Sequence, residues 1–200
     1  MKPWLQGFSL GMLLVALTVA SGGAAAPQDL VKNILEEVMA IQTNPALEGE
    51  AHQAARAAAI RRVIQRNFDF PYMAQAALEG AYQGLSPGQR QEFTQVFSTL
   101  FQASYTDLVL KFLKKETVKY DAETLEGPRA RVKTTLVRTN ETIPVEYLLH
   151  QKGGGWLLYD VIVDGVSILG NYQRQFTQVV RTKSFEFLLD RMKTQIKALP

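Results

Sequence analysis

The segment from Pro87 to Phe112 contains no further proline and is long enough for an extended helix. It is followed by stretches in which apolar and polar residues alternate. Ser86, Pro87 and Gln89 form the pattern of a capping box at a helix start. At 1.5 Å per residue the helix is about 39 Å long, enough to cross a small domain. Alternation with period two is typical of half-buried antiparallel strands. The order of the elements, with helices before and after a group of strands, predicts an α+β fold.

The periodicity gives approximate bounds for each element. We expect helices at 28–44, 49–66, 69–78, 86–112, 167–181 and 184–197, and strands at 117–121, 129–138, 142–151 and 156–164. The glycines at 153–155 predict a hairpin turn. In the last strand Leu157, Tyr159, Val161 and Val163 are expected on one apolar face. A long helix across a curved sheet makes a cone whose wide end can hold a cavity.

The first residues have the character of an export signal. Lys2 precedes an apolar run from Leu10 to Ala20, and small residues follow it. We expect a signal peptide over residues 1–25, with cleavage within Ala24 to Ala26, and a single domain over 26–200. The apolar run is shorter than the ~20 residues of a spanning helix. An exported chain without cysteine suits the bacterial periplasm.

Composition argues against most catalytic chemistry. The chain has no cysteine, two histidines and a net charge of only +3, which disfavours thiol catalysis, metal clusters and nucleic-acid binding. No metal-binding, phosphate-loop or serine-hydrolase motif is present. We therefore predict no catalytic residues, no metal and no cofactor.

Asp160 and Asp164 are the one carboxylate pair that could support acid–base chemistry. They lie four residues apart on a strand and so share a face. Because the opposite set is apolar, we expect this pair on the exposed side of the sheet. His150 alternates with the apolar face and His52 lies in a polar helix, so we expect both histidines at the surface.

The inward faces of the long helix, the strands and the following helix supply a large apolar surface, typical of a protein that binds an apolar ligand. Val166 follows Gly165 where a strand gives way to a helix, and we expect its side chain at the rim of the cone. The predicted lining residues are Phe97, Phe101, Tyr105, Leu108, Val132, Leu136, Tyr147, Leu149, Tyr159, Val161, Val163, Val166, Tyr172 and Phe176.

Four segments of the chain resemble the MlaC family, also called toluene-tolerance proteins. The segment YDVIVDGVSILGNYQRQF at 159–176 carries the family's Y-D-V, G-V-S and N-Y-x-x-Q-F pattern, and RTKSFEFLLDRMK follows at 181–193. FDFPYMAQAALEG at 68–80 and LSPGQRQEF at 85–93 resemble the family's helical half. The likeness covers essentially the whole chain after the signal segment.

The resemblance implies an NTF2-like cone that encloses acyl chains. It also implies a periplasmic carrier of glycerophospholipid that maintains outer-membrane lipid asymmetry, with no cofactor and no covalent chemistry. The implied partners are an outer-membrane lipoprotein–porin complex and an inner-membrane ABC transporter that bears an MCE-domain ring. A sister branch associated with hopanoid lipids is not separated from this one by the sequence.

A carrier that serves two partners in turn needs a polar docking surface, and we expect it to be a monomer. The residues Arg129, Arg131 and Lys133 form one candidate surface, and Arg174, Arg181 and Lys183 form another. Two other interpretations stay open. One is a cone-shaped enzyme like the ketosteroid isomerases, which would need groups such as Asp160 and Tyr159 in one cavity. The other is a structural factor whose core is filled.

Overall fold

The computed structural model describes residues 26–199, and the predicted signal peptide at 1–25 lies outside the described residues. All six predicted helices are present, and a short additional one follows the third. The helices are α1 (Pro27–Gln42), α2 (Gln53–Asn67), α3 (Phe70–Leu78), α4 (Gly80–Gln83), α5 (Pro87–Phe112), α6 (Ile168–Thr182) and α7 (Phe185–Ala198). The strands are β1 (Thr117–Glu126), β2 (Arg129–Val137), β3 (Thr142–Lys152), β4 (Gly155–Val163) and β5 (Val166–Ser167).

The five strands form one antiparallel sheet in the order β1-β2-β3-β4-β5. Each strand pairs with its neighbour in the chain, which confirms the predicted antiparallel strands. The turn between β3 and β4 has positive φ at both Gly153 and Gly154, the conformation that tight hairpins require. The first strand runs to Glu126, beyond the predicted end at residue 121. Its second half is exposed on both faces, so its pattern carries no sign of a buried face.

The capping box predicted at the start of α5 is present. The Ser86 hydroxyl accepts a hydrogen bond from the Gln89 N–H at 3.3 Å, and the Gln89 side chain accepts one from the Ser86 N–H at 3.0 Å. Helices α2, α3 and α7 pack against α5. Phe93, Phe97 and Phe101 follow one another along its buried face. None of the helices within residues 26–199 combines the length and apolar character that a membrane-spanning segment needs.

Candidate functional site

An apolar cavity of about 380 Å³ lies between the C-terminal half of α5 and the inner face of the sheet. Small-molecule sites usually have volumes of roughly 300–1,000 Å³. The wall consists of aliphatic and aromatic side chains from α1, α5, β2, β3 and β4 and the residue that follows α5. These residues are Leu35, Tyr105, Leu108, Val109, Phe112, Leu113, Leu136, Ile143, Val145, Tyr147, Val161 and Val163.

The spacing of the wall residues follows from the two kinds of secondary structure. On α5, Tyr105, Leu108 and Phe112 are separated by three and four residues and therefore lie on one face. On β3, alternate residues from Ile143 to Tyr147 point to the same side of the sheet. A helix face and a strand face thus meet around a space that other side chains do not fill.

The cavity wall carries no charge at neutral pH. Burial raises the pKa of Tyr105, and the nearby negative charge of Asp160 raises it further. Burial also raises the pKa of Tyr147 well above its ordinary value. Both phenols therefore stay protonated across the physiological range. Such a wall favours a ligand made of hydrocarbon.

Polar residues are gathered at the mouth of the cavity. The Arg138 guanidinium donates hydrogen bonds to the Phe112 carbonyl oxygen at 2.6 Å and to the Glu141 carboxylate at 2.7 Å. It also lies 5.6 Å from the centroid of the Phe112 ring. The hydrogen bond to Glu141 raises the pKa of Arg138, so the guanidinium stays charged. Asp164 and Thr142 complete this polar rim.

Six of the predicted lining residues border the cavity, on α5, β2, β3 and β4. They are Tyr105, Leu108, Leu136, Tyr147, Val161 and Val163. Six others are packed in the interior away from it: Phe97, Phe101, Val132, Leu149, Tyr172 and Phe176. On α5 the rings of Phe97 and Phe101 meet those of Tyr172 and Phe176 from α6, so this stretch of the helix is covered by aromatic packing.

Tyr159 and Val166 are also outside the cavity wall. A β-bulge opposite Leu148 and Leu149 inserts Tyr159 as an extra residue in β4, which ends the simple alternation assumed for that strand. The Tyr159 ring packs against Tyr72 of α3 at a centroid distance of 5.2 Å. Val166 is 50% exposed, in the short strand β5. The expectation of one apolar face through Leu157, Tyr159, Val161 and Val163 was therefore wrong.

The prediction did not include the polar rim or six residues of the cavity wall, which are Leu35, Val109, Phe112, Leu113, Ile143 and Val145. Leu35 comes from α1, which crosses β1 and β2, and no local pattern shows that a distant helix closes a cavity. Phe112 follows Leu108 by four residues and so lies on the same helix face, which made its spacing a usable signal.

Asp160 corrects a second expectation, because its carboxylate is buried rather than exposed. It accepts hydrogen bonds from the Ser167 hydroxyl and from the N–H groups of Val161 at 2.8 Å and Leu169 at 2.9 Å. Burial raises the pKa of Asp160, although these hydrogen bonds act in the opposite direction. The start of α6 covers this side of β4, which the strand pattern alone could not indicate.

Asp69 is a second buried carboxylate, at the N-terminus of α3. It accepts two hydrogen bonds from the Lys152 ammonium, at 2.8 and 2.9 Å, and lies 3.0 Å from His150 Nε2. It also caps α3 by accepting the Tyr72 N–H. Burial alone would raise the pKa of Asp69, but the bonds from Lys152, Tyr72 and His150 lower it overall. His150 was expected at the surface and is instead half-buried beside Asp69.

The two candidate docking surfaces are both exposed, but they differ in their ion pairs. Arg131 and Lys133 both pair with Glu146, and Arg129 lies over the Tyr159 ring at 6.0 Å. Arg174 bonds to Asn171 on its own helix. Within residues 26–199, Arg181 and Lys183 make no ion pair.

The two surfaces are also separate, since one is on β2 and the other is on and just after α6.

No three His, Asp or Glu side chains within the described range come together in a way that could hold a metal ion.

Comparison with known proteins gives consistent matches across the chain. The family model described as "MlaC protein" matches residues 32–194. The toluene tolerance protein ttg2D of Pseudomonas putida is 23% identical over 172 residues, which cover 85% of this chain and 80% of that protein. The intermembrane phospholipid transport system binding protein MlaC of Haemophilus influenzae is 21% identical over 141 residues, 66% of each chain.

A solved structure has the same fold. It is the phospholipid-binding protein from Ralstonia solanacearum in complex with a phospholipid, with a TM-score of 0.76 and 22% sequence identity. The match covers 87% of this chain and 98% of that one. This likeness confirms the predicted α+β fold.

Proposed function

The chain belongs to the MlaC protein family, and on that basis we propose that it is a phospholipid carrier of the bacterial periplasm. The observation that carries the proposal is the uncharged cavity between α5 and the sheet, with apolar side chains as its wall and charged residues only at its mouth. Acyl chains fit the wall, and a polar headgroup fits the mouth. The phospholipid transport binding protein of Haemophilus influenzae and the phospholipid-binding protein of Ralstonia solanacearum, both similar to this chain, support the same ligand class.

The physical task of such a carrier is to keep acyl chains out of water. Burying a methylene stabilises by about 0.8 kcal/mol, so two acyl chains correspond to tens of kcal/mol in total. Release into water would cost the same amount. A carrier therefore has to exchange lipid at a docked partner whose own site is apolar, because the chains then pass between two environments of similar free energy.

We further propose that the partners are an outer-membrane lipoprotein–porin complex and an inner-membrane ABC transporter with an MCE-domain ring. Exposed cations on β2 (Arg129, Arg131, Lys133) or near the end of α6 (Arg174, Arg181, Lys183) would provide the docking charge. On the first surface Arg131 and Lys133 already pair with Glu146, whereas no cation of the second surface makes an ion pair among the described residues. This difference favours the second surface, since no existing pair has to be broken. Residues 1–25 would act as the export signal.

The geometry does not favour an enzyme on the same fold. The buried carboxylate of Asp160, next to the wall residue Val161, is already occupied by donors from Ser167 and Leu169. Tyr159, which would have to act with it, packs against Tyr72 on α3. An acid–base pair needs both groups within reach of one substrate, and these two do not face the cavity.

A transfer experiment tests the proposal. The protein is incubated with donor vesicles that contain a labelled phospholipid, separated from them, and then mixed with unlabelled acceptor vesicles. We expect labelled lipid to accompany the protein and to reach the acceptor faster than in its absence. Protein that acquires no label from any phospholipid would contradict the proposed function.

A further inference from the structure

A polar groove adjoins the mouth of the cavity and shares Arg138 with it. Lys114 and Lys115, which follow the end of α5, line this groove together with Glu116 and Arg138. We call it the basic groove. A ligand whose apolar part lies in the cavity can therefore extend past Arg138 into a region that contains three cations and one carboxylate.

The charge of the basic groove is not balanced. Arg138 pairs with Glu116 at 3.4 Å and with Glu141 at 2.7 Å, so its charge is compensated. Among the residues that the structure describes, the ammonium groups of Lys114 and Lys115 make no ion pair. The groove therefore holds a positive charge beside the cavity mouth.

Stabilising the C-terminus of α5 would be the ordinary role for these lysines, since cations favour the negative end of a helix. That end already has other partners. The Gln42 side-chain amide donates to the carbonyl oxygens of Val109 at 3.1 Å, Leu110 at 3.3 Å and Leu113 at 2.9 Å. Arg138 donates to the Phe112 carbonyl oxygen. The carbonyls of Val109, Leu110 and Phe112 in the last turn thus have partners other than Lys114 and Lys115.

We propose that the basic groove binds the headgroup of a phospholipid that carries net negative charge, while its acyl chains lie in the cavity. This inference rests on the proposed function. The headgroup of phosphatidylglycerol brings one uncompensated negative charge to the two lysines. Phosphatidylethanolamine brings an ammonium group as well, which the lysines repel. The preference depends on ionic strength because the lysines are exposed.

The test uses vesicles made of equal parts phosphatidylglycerol and phosphatidylethanolamine with identical acyl chains. After exchange, the lipids bound to the protein are identified by mass spectrometry. We expect phosphatidylglycerol to be enriched roughly three- to tenfold, the size expected for two exposed charge pairs. The enrichment should fall as the salt concentration rises. It should disappear in the Lys114→Gln/Lys115→Gln variant, which still loads lipid.

A double variant at two other exposed lysines, Lys32→Gln/Lys197→Gln, is the matched control and should keep the enrichment. Equal uptake of both lipids by the wild-type protein would overturn the headgroup site and leave the carrier function standing. Uptake of neither lipid would overturn both. Tight binding of inorganic phosphate to the lipid-free protein would show that the groove recognises a free anion, and would overturn its assignment to a lipid headgroup.

Discussion

The Asp160 carboxylate on β4 accepts a hydrogen bond from the Ser167 hydroxyl, and the Ser167 oxygen in turn accepts the Gly170 N–H at 2.7 Å. A β-carbon on Gly170 would lie 2.8 Å from the Ser167 oxygen, so only glycine fits there without a shift. These three residues fix the start of α6 against the sheet. They also give a physical reason for the aspartate of the Y-D-V pattern and the serine of the G-V-S pattern.

We expect Asp160→Ala to lower the free energy of unfolding by about 2–4 kcal/mol, because it leaves buried N–H and hydroxyl donors without an acceptor. Urea denaturation followed by circular dichroism measures the change. Asp190→Ala, at an exposed position on α7, serves as the control and should stay within about 0.5 kcal/mol of wild type. Equal effects of the two substitutions would contradict the role assigned to Asp160.

Filling the cavity should remove lipid without unfolding the protein. Leu108 borders the cavity and is only partly buried, so a tryptophan there can occupy the space between α5 and the sheet. We expect Leu108→Trp to reduce the phospholipid bound per protein severalfold, with a melting temperature close to wild type. Leu125→Trp, at a position that is 58% exposed at the end of β1, introduces the same ring elsewhere. Full loading of Leu108→Trp would show that the chains lie elsewhere.

The ion pair between Asp69 and Lys152 should make stability depend on acid pH. The pKa of Asp69 in the folded protein is below its ordinary value of 3.8, so the unfolded chain binds its proton first. The contribution of Asp69 is therefore complete above that value and is lost as the pH falls through it toward the lower folded pKa.

We expect Asp69→Asn to cost about 1–2 kcal/mol at neutral pH, since the amide keeps the helix cap but loses the charge-assisted bonds. The difference between wild type and variant should shrink as the pH falls from about 5 to about 2. Denaturant unfolding at several pH values measures it. Asp190→Asn provides a control without a buried partner. A constant difference across that range would contradict the assignment.

The sequence predicted the elements well and the site only in part. Capping at Ser86 and strand alternation in β2 and β3 are local signals, and both were reliable guides. The position of Tyr159 depends on a bulge, and the burial of Asp160 depends on where α6 begins. Both are consequences of packing between elements, which no local pattern encodes. The residues of the cavity wall also divide into those that a local pattern predicts and those that packing between elements places. Tyr147 was placed correctly by alternation, whereas Leu35 reaches the cavity from a distant helix.

Charge reversal at the docking surfaces should separate lipid binding from partner binding. We expect Arg129→Glu/Arg131→Glu/Lys133→Glu to keep its lipid and to bind at least one membrane partner more weakly, because these side chains point to solvent. Binding measured at two salt concentrations should also show a smaller salt dependence.

The corresponding triple reversal at Arg174, Arg181 and Lys183 tests the second surface under the same conditions. Weaker binding only in this second variant would place the docking site near the end of α6. Wild-type affinity of both variants for both partners would contradict electrostatic docking at either surface.

Native mass spectrometry of the protein, purified without detergent, shows directly whether it binds a phospholipid. We expect a species heavier than the bare chain by the mass of one phospholipid, which collisional activation releases and lipid analysis identifies as a diacyl glycerophospholipid. The Leu108→Trp variant should show mainly the lipid-free mass. A wild-type protein that appears only at the mass of the bare chain, and yields no phospholipid on extraction, would contradict phospholipid binding by this protein.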